Sequence, residues 1–375
     1  MRKVAVLFGG RSCENEISVL TAVFVMRLLD RTKYTVVPVY IHLDGGMYSS
    51  EKMFDLDVFR EKQLGGFERV FFDGGRMYLR KQGKKKIRDA GKIDVALNCC
   101  HGGLGEGGGV SALMEWNDIP LASPDLTSSG IFMDKSMTKL VVKGLGVPTL
   151  DYLRVNEEDY QKRGRFLLRS IESRLKYPVV VKPAHLGSSI GISVAKNEGE
   201  VQAALEAAFR LDDRVIVEKY LTDKQDVNCA AYMLGGEIVV SEPERAFGEG
   251  IYTFEEKYIK KRADESGGNW VKGKGRYALN GDIRAKIRSY TKTLYKRLNL
   301  RGVVRMDFLL SGGEAYLCEV NTVPGSLAYY FFCERVTDAR RFFGDLIEEA
   351  LREGEKAKKQ VPTTGILTTV RWQKK

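Results

Sequence analysis

The chain has 375 residues, of which 43% are hydrophobic and 29% charged, and its formal net charge is +11 at pH 7. This length predicts two or three domains with substantial cores, and no apolar run is long enough to cross a bilayer. The positive charge suits phosphorylated ligands, but the Lys and Arg residues are spread along the chain without a nucleic-acid-binding motif. We therefore expect neither a membrane nor a nucleic acid as a partner.

The cysteine pattern argues against both a zinc site and a disulfide framework. Six Cys are scattered along the chain without Cys-x-x-Cys spacing, and there are only three His. The first residues, MRKVAVLFGGRS, read as a strand entering a glycine turn and not as a signal peptide. Such a chain is typical of a reducing compartment, so we predict a cytoplasmic protein.

Strand and helix patterns alternate up to about residue 123. Strands are predicted at VAVLFGG, YTVVPVYIH and DVALNCCHGG, helices over 14–29 and from 110, and two short strands around Asp73-Gly74-Gly75. This alternation predicts an open parallel α/β sheet. Ligands of such sheets bind at the carboxyl ends of the strands, where the turns at Gly9-Gly10 and Gly102 to Gly109 fall.

The pattern changes beyond this point. Helical residues 124–150 precede a strand, glycine loop, strand, helix and strand over 178–222, and 227–241 reads as a hairpin. The segment 247–275 lacks periodicity, and long irregular segments are often functional lids. A helix over 282–298, two strands, a helix over 340–354 and a basic tail follow. We predict domains over 1–123, 124–222 and 223–354, and a tail over 355–375.

The two late strands carry the strongest chemical signal. VVRMDFLL and AYLCEV are joined by Ser311-Gly312-Gly313-Glu314, so they should pair antiparallel. Side chains alternate along a strand, which allows Asp307, Glu319 and Asn321 to share one face beside Arg305. Three oxygen ligands beside an Arg suit a Mg²⁺ ion that binds phosphate. A solvated sheet face with one ion pair is the alternative.

A phosphate-binding loop is predicted after the strand at 178–183. Lys182 would be costly in a buried strand unless it met an anion, and the following Gly187-Ser188-Ser189 offers backbone N–H groups and hydroxyls. A tight turn with a snorkelling Lys is the alternative. Glu218 ends the next apolar strand, where a carboxylate either accepts hydrogen bonds from a nucleoside or faces solvent.

The N-terminal glycine turns carry further candidates. The first turn lacks the Gly-x-Gly-x-x-Gly spacing of a dinucleotide site. Glu14 and Ser18 lie four residues apart and share a helix face just past that turn, where a helix N-terminus attracts anions. A role for Glu14 in the first helical turn alone is the alternative. His101 ends a strand and is followed by Glu106; it is placed either for ligand contact or as a structural histidine.

The order of these features resembles the ATP-grasp superfamily and, more closely, the D-alanine–D-alanine ligases. The matching segments, from about residue 3 to about residue 350, are LFGGRSCENEISVLTA, CCHGGLGEGGGVSALME, MDKSMTK, VVVKPAHLGSSIGIS, VIVEKYL, YTFEEKY and RMDFLL…YLCEVNTVPGS. The resemblance implies a three-domain α/β ATP-grasp architecture with ATP clasped between the central and C-terminal domains. It further implies a homodimer that joins two D-alanine molecules for peptidoglycan synthesis through an acyl phosphate.

The resemblance assigns roles residue by residue. The phosphates of ATP would contact Lys135, Lys182, Ser189 and Lys257. Its nucleoside would contact Glu218, Tyr220, Leu221 and Asp226. The amino-acid substrates would meet Glu14, Ser18, His101, Ser326 and Leu327. The catalytic set would be Glu14, Ser188, Tyr258, Arg305 and the amide of Gly325. Two Mg²⁺ ions, or Mn²⁺ in their place, would bind Asp307, Glu319 and Asn321.

The sequence departs from the family pattern at four places. Asn15 stands where His is usual, Gly107 where Asp is usual, and Tyr252-Thr253-Phe254 where Tyr-Asp-Tyr is common. After Pro324-Gly325 a Thr-containing stretch is replaced by Ser-Leu-Ala-Tyr-Tyr, which would reshape the pocket for the second substrate. A ligase with D-Ser, D-lactate or another amino acid as second substrate is therefore an alternative, and a non-catalytic ATP-binding scaffold is another.

Overall fold

The computed structural model describes residues 1–60, 65–245, 279, 281–356 and 364–366. Its helices are α1 (Asn15–Leu28), α2 (Asp57–Arg60), α3 (Val110–Trp116), α4 (Leu126–Met133), α5 (Lys135–Gly144), α6 (Glu157–Leu175), α7 (Glu198–Phe209), α8 (Gly281–Arg297) and α9 (Ala339–Lys356). Across these ranges, every helix is too short or too polar to traverse a bilayer. Lys257, Tyr258, the rest of the predicted lid and most of the predicted tail lie outside the described residues.

The first sheet is the predicted N-terminal α/β sheet. Its strands are β1 (Arg2–Gly9), β2 (Tyr34–Ile41), β3 (Met47–Ser49), β4 (Glu68–Asp73), β5 (Arg76–Lys81), β6 (Arg88–Lys92), β7 (Val95–Asn98) and β8 (Leu121–Ala122), in the order β6-β5-β4-β3-β2-β1-β7-β8. The half formed by β2, β1, β7 and β8 is parallel, as predicted, and its central strand β1 is buried from Val4 to Phe8. The hairpin β4–β5 and its neighbours extend it antiparallel.

A second, four-stranded antiparallel sheet forms the middle of the chain. Its strands are β9 (Tyr152–Asn156), β10 (Val179–Pro183), β11 (Ser193–Ala195) and β12 (Arg214–Lys219), in the order β11-β10-β12-β9. α6 and α7 cover one face; in α7 the buried residues Val201, Ala204, Leu205 and Ala208 recur at helical spacing. The sequence analysis predicted no element over β9 and α6; charged residues fill nine of the 19 positions of α6.

The third sheet contains the predicted hairpin. Its strands are β13 (Gln225–Leu234), β14 (Glu237–Val240), β15 (Glu244–Arg245), β16 (Val303–Ser311) and β17 (Glu314–Asn321), in the order β14-β13-β16-β17, with β15 beside β13. β16 and β17 pair antiparallel around Gly312 and Gly313, whose φ angles of 56° and 79° suit the tight turn. The sequence prediction of this hairpin is confirmed.

The packing of this third sheet joins distant parts of the chain. One face shares a core with α8 and with Phe132 and Val142 of the α4–α5 pair. The other face packs, through Tyr232, Leu327 and Phe343, against the N-terminal sheet and α1. The proposed division at residues 123, 222 and 354 stays a prediction, and α4 and α5 share their core with the strands that follow residue 222.

Candidate active site

A cavity lies where the carboxyl ends of β1 and β7 face the end of the β16–β17 hairpin. Its lining includes Glu14, His101, Glu106, Lys135, Arg305 and Glu319. These six side chains are brought together from α1, β7, α5 and the hairpin, which are far apart in sequence. Five of them were site candidates on sequence grounds, and the fold places them around one space.

The predicted metal ligands share one face of the hairpin. Asp307 lies opposite Glu319 and Arg305 opposite Asn321, and a β-bulge follows Asp307. The Asn321 amide Nδ2 donates to Asp307 Oδ2 at 3.1 Å. Arg305 donates to both Asp307 oxygens, from Nε at 2.8 Å and from Nη2 at 2.9 Å. The guanidinium of Arg305 and the carboxylate of Asp307 therefore form a bidentate pair within the site.

The oxygen set fits a hard cation. Carboxylates from adjacent strands and a neighbouring amide oxygen are the donors that Mg²⁺ prefers, and no soft ligand is required. Glu319 and Asn321 also line the cavity, so an ion held by them would face a ligand there. Asp307 would use an oxygen that Arg305 now contacts.

Glu14 and Ser188 meet across two segments of the chain. The Ser188 hydroxyl donates to Glu14 Oε1, and both residues are buried. The loop reaches this point because Ser188 and Ser189 adopt left-handed φ angles of 53° and 60°. Two glycines make the approach possible, since a Cβ at Gly102 or Gly187 would lie 2.7 Å or 2.8 Å from Glu14 Oε2. The predicted third member, Tyr258, lies outside the described residues.

Ser18 has a different setting from the one expected of a substrate contact. It is fully buried, accepts from the Gly9 amide at 2.7 Å and donates to the Cys99 carbonyl at 2.7 Å. Both hydrogen bonds join the ends of β1 and β7. The hydroxyl therefore ties together the two strands that carry the glycine turns, and Ser18 is absent from the cavity lining.

His101 is held on both ring nitrogens by protein groups. Nδ1 lies 2.6 Å from the Val323 carbonyl and Nε2 lies 2.9 Å from Thr21 Oγ1. Burial lowers the pKa of His101 to about 4, so the ring is neutral near pH 7. The predicted closeness to a substrate carboxylate stays a prediction, but that contact would have to involve ring carbons or displace one of these bonds.

Lys182 and Glu218 belong to a buried chain of three ions. Lys182 Nζ pairs with Glu218 Oε2, and Lys139 Nζ lies 2.6 Å from Glu218 Oε1. The exposed fractions of the Lys139, Glu218 and Lys182 side chains are 1%, 2% and 10%. Burial would raise the pKa of Glu218, but the two ammonium groups lower it to about 2. The triad thus carries one excess positive charge, which favours an anionic ligand.

Lys139 received no role from the sequence. It lies four residues after Lys135 on α5, so the two share a helix face, and this spacing was the available signal. Besides Glu218, Lys139 Nζ contacts the Leu150 carbonyl at 3.4 Å and lies 5.5 Å from the Tyr152 ring centroid. Lys139 is also the more buried cation of the triad, since its side chain is 1% exposed and that of Lys182 is 10% exposed.

The other predicted ATP contacts surround this triad. Lys135 Nζ donates to the Leu186 carbonyl at 2.5 Å, which places it beneath the glycine loop. Tyr220 and Leu221 follow β12 and are half-buried, and the Tyr220 amide donates to the Pro178 carbonyl at 3.2 Å. Asp226 is the second residue of β13, and its Oδ2 accepts from Lys224 Nζ at 2.6 Å. Their roles in binding a nucleotide stay predictions.

Glu106 is a second residue to which the sequence assigned no role. Its Oε2 accepts from the Gly102 amide at 2.7 Å and its Oε1 from the Val323 amide at 3.0 Å. Burial, with a smaller effect of the Glu14 carboxylate, raises the pKa of Glu106 to about 7. This carboxylate connects the second glycine turn to the segment after β17, and its position in the glycine-rich stretch gave no hint of that link.

Local contacts explain two of the departures from the family pattern, at positions 15 and 107. The Asn15 amide Nδ2 donates to the Gly10 carbonyl at 2.7 Å and its Oδ1 accepts from Tyr40 at 3.3 Å, so Asn15 holds the first glycine turn. A Cβ at Gly107 would lie 3.1 Å from Met133 Cγ, which is too close for a side chain unless Met133 moved. Both positions therefore fit the residues that this chain carries.

The turn after Gly325 is strained. Ser326, Leu327 and Ala328 have consecutive φ angles of 51°, 51° and 50°, although none is glycine. Left-handed conformations cost such residues about 1–2 kcal/mol each. Leu327 and Ala328 are buried against α1 and α9, and this packing offsets the cost. Strain held in this way is common at binding sites.

A polar cluster lies behind the glycine loop. His185 Nδ1 is 2.9 Å from Asp212 Oδ1 and its Nε2 is 3.4 Å from Asp134 Oδ2, which Arg214 also contacts at 3.0 Å. These carboxylates raise the pKa of His185 to about 9, so the ring is protonated near pH 7. His185, Asp212 and Asp213 have the spacing of a metal site, but both ring nitrogens of His185 already lie against carboxylates, as in an imidazolium ion pair. We interpret the cluster as an ion-pair network.

The network predicts a pH-dependent stability. The folded-state pKa of His185 exceeds its ordinary value of 6.5, so its contribution is complete below about pH 6.5 and is lost as the pH rises through about 9. Replacing His185 with Asn should destabilise the protein at about pH 6 by about 1–3 kcal/mol, and the difference should shrink above about pH 9. Urea unfolding at both pH values measures this. An equal difference at both, or a similar pattern for Asp213→Asn at the exposed neighbour, would contradict the assignment.

Comparison with known proteins gives the family. The family profile described as "D-ala D-ala ligase N-terminus" matches residues 3–124, and the one described as "D-ala D-ala ligase C-terminus" matches residues 141–352. The chain is 34% identical over 339 residues to the D-alanine–D-alanine ligase of Thermosipho africanus, covering 88% of each chain. It is 34% identical over 330 residues to the D-alanine–D-alanine ligase of Chlorobaculum parvum, covering 86% of this chain and 88% of that one.

Solved structures share the fold. The D-alanine–D-alanine ligase of Helicobacter pylori superposes with a TM-score of 0.74 at 24% identity, over 96% of this chain and 100% of that one. The VanG D-Ala:D-Ser ligase of Enterococcus faecalis superposes with a TM-score of 0.72 at 24% identity, over 94% and 98%. The ATP-grasp architecture expected from the sequence is thereby confirmed. From its sequence profiles, its relatives and its fold, this chain belongs to the D-alanine–D-alanine ligase family.

Proposed function

We propose that this protein is an ATP-dependent ligase that joins two D-alanine molecules into the dipeptide used in peptidoglycan precursors. The observation that carries the proposal is that Glu14, Lys135 and Arg305 line one cavity. Ser188 contacts Glu14, and Arg305 pairs with Asp307. A carboxylate for an ammonium group, cations for phosphate and a guanidinium for a developing oxyanion are the groups that such a reaction requires.

The chemistry proceeds in two steps. A carboxylate oxygen of the first D-alanine attacks the γ-phosphorus of ATP, and the bond from that phosphorus to ADP breaks. The amine of the second D-alanine then attacks the carbonyl carbon of the acyl phosphate, phosphate leaves and the amine loses a proton. Both steps require negative charge to be neutralised in a site from which water is excluded.

The chain supplies groups for each requirement. Glu14, held by Ser188, would bind the ammonium group of the first substrate. Lys135 and Lys182 would contact the phosphates, with Ser189 and Lys257 beside them. Arg305 and the Gly325 amide would stabilise the oxyanion, and Tyr258 would close the site with Ser188. Both Lys257 and Tyr258 lie outside the described residues, so their places rest on the family resemblance alone.

Recognition of the nucleoside would fall to the end of β12. Glu218 would accept from the adenine amino group with the backbone of Tyr220 and Leu221 beside it, and Asp226 would meet the ribose. Glu218 is ionised because Lys139 and Lys182 lower its pKa. Lys182 would leave Glu218 to reach phosphate, while Lys139 would keep the carboxylate charged and in place.

The metal requirement is part of the proposal. Asp307, Glu319 and Asn321 would hold two Mg²⁺ ions, or Mn²⁺, because they share one face of the hairpin and two of them, Glu319 and Asn321, line the cavity. When bound, such ions neutralise phosphate charge during transfer. Arg305 would exchange its contact with Asp307 for one with the substrate oxygens.

The second substrate is the point on which two versions of the proposal differ. Ser326 and Leu327 occupy the place at which the family binds the carboxylate of the second amino acid, and here they form a strained turn. A turn that differs from the family pattern favours an acceptor other than D-Ala. One structural relative is named a D-Ala:D-Ser ligase. D-Ser, D-lactate or another amino acid is therefore the second candidate for the acceptor. We further propose a cytoplasmic homodimer.

A substrate panel tests the function. Purified protein is incubated with Mg-ATP and D-Ala alone, or with D-Ala plus D-Ser, D-lactate or another amino acid, and phosphate release and product mass are recorded. We expect phosphate release with D-Ala alone and a D-alanyl-D-alanine product. Release only in the presence of a different acceptor would support the second version, whereas ATP binding without turnover for any pair would overturn the proposal in favour of a non-catalytic scaffold.

A further inference from the structure

Thr21 lies at the centre of a buried hydrogen-bond network that the reaction chemistry does not use. It is 2% exposed, and its Oγ1 lies 2.9 Å from His101 Nε2 and accepts from the Ser326 amide at 3.1 Å. His101 in turn contacts the Val323 carbonyl through Nδ1 at 2.6 Å. Thr21 is not among the residues that line the cavity. It therefore touches the site only through its neighbours.

The proton positions in this network follow from its partners. A carbonyl oxygen only accepts, so His101 must carry its proton on Nδ1 to donate to Val323. Nε2 of the neutral ring is then an acceptor, and the Thr21 hydroxyl must donate to it. The Thr21 oxygen keeps a lone pair for the Ser326 amide, which only donates. Every donor meets an acceptor in one arrangement, so the network is directional.

The network ends on the strained turn. Ser326 is the first of the three residues with φ near 50°, and Val323 lies just before Pro324 and Gly325. The Leu327 amide donates to the Pro324 carbonyl at 2.8 Å, which closes the turn on itself. A left-handed run of three non-glycine residues persists only where its surroundings hold it. Thr21, from α1, and His101, from the end of β7, both hold the segment that leads into this run.

We propose that Thr21 is a positioning residue that fixes, through His101 and the Ser326 amide, the turn that receives the second substrate. This inference rests on the proposed function, in which Gly325 and Ser326 serve the oxyanion and the acceptor carboxylate. Without the Thr21 hydroxyl, His101 Nε2 and the Ser326 amide would each lose a buried partner. The turn would then leave its strained form, and the acceptor would lose affinity while ATP would not.

Two substitutions separate the role of the Thr21 hydroxyl from that of its methyl group. Thr21→Val keeps the shape and removes the hydroxyl, whereas Thr21→Ser keeps the hydroxyl. We expect Thr21→Val to raise the apparent KM for the acceptor by about tenfold or more. The KM for ATP should change by less than about twofold, and Thr21→Ser should recover most of the acceptor affinity.

On the acceptor side, two kinetic outcomes would overturn the proposal. One is an acceptor KM in Thr21→Val equal to that of the unmodified protein, because the hydroxyl would then be dispensable. The other is equal damage in Thr21→Ser and Thr21→Val, because the loss would then come from packing. A parallel rise in the KM for ATP would also contradict a role confined to the acceptor side.

A measurement on the unmodified protein keeps the test independent of folding and of turnover. In protein labelled with ¹⁵N-histidine, His101 should show a protonated Nδ1 and an unprotonated Nε2 that persist from about pH 5.5 to about pH 8.5. A protonated Nε2 or an imidazolium in this range would overturn the network. Absence of turnover with every acceptor in the substrate panel would instead contradict the proposed function. The hydrogen-bond assignment would then be tested by this spectrum alone.

Discussion

Replacing Glu319 with Ala is expected to lower kcat by about a thousandfold or more, which corresponds to about 4 kcal/mol of lost transition-state stabilisation. Glu319 lies opposite Asp307 on the hairpin and lines the cavity, so its carboxylate is placed to hold an ion against a phosphate there. Its removal would leave phosphate charge uncompensated at the moment of transfer. Single-turnover phosphate release measures the chemical step, and Mn²⁺ titration followed by electron paramagnetic resonance counts bound ions without turnover.

Glu314 provides a matched control. It is on the same strand, but it pairs with Lys286 at 3.0 Å on the outer end of the hairpin. Glu314→Ala should leave kcat within about twofold and cost about 0–1 kcal/mol of stability, as surface ion pairs do. Near-normal turnover and an unchanged number of bound Mn²⁺ ions in Glu319→Ala would show that the metal assignment is wrong.

Replacing Lys139 with Met is expected to destabilise the protein by about 3 kcal/mol, because it leaves one oxygen of a buried carboxylate without its ion-pair partner. Glu218 is 2% exposed, and water cannot replace the lost ammonium group without opening the core. The same change should raise the KM for ATP, since Lys182 would then be the remaining cation of the triad on Glu218 and less available to phosphate. Urea unfolding and the KM for ATP measure the two effects.

The control for this prediction is Lys143→Met, four residues along α5 at an exposed position. It should change the free energy of unfolding by less than about 0.5 kcal/mol, as is usual for surface substitutions. A double-mutant cycle with Glu218→Gln isolates the pair, because Lys139→Met should cost less once the carboxylate is neutral. Equal costs of Lys139→Met in both backgrounds would contradict the ion-pair explanation.

The hairpin and the glycine turns were predictable because their signals are local. Alternating side chains over 303–310 and 315–320, with two glycines between them, specify strand, turn and face within nineteen residues of one another. The same holds for α1 after the first glycine turn and for the parallel strands β1, β2 and β7. Local signals also placed Lys182 and Glu218 on strands, and these strands are neighbours in the sheet.

What the sequence determined by itself was which segments are strands, helices and turns, and which residue types stand at their ends, because hydrophobic period and turn chemistry act over a few residues. Only the tertiary structure decided which polar side chains contact one another. Lys139 meets Glu218 across 79 positions (139 to 218), and Ser326 meets Thr21 across 305. Such contacts form because elements that are distant in the chain pack together, and burial then obliges each polar group to find a partner that no local pattern specifies.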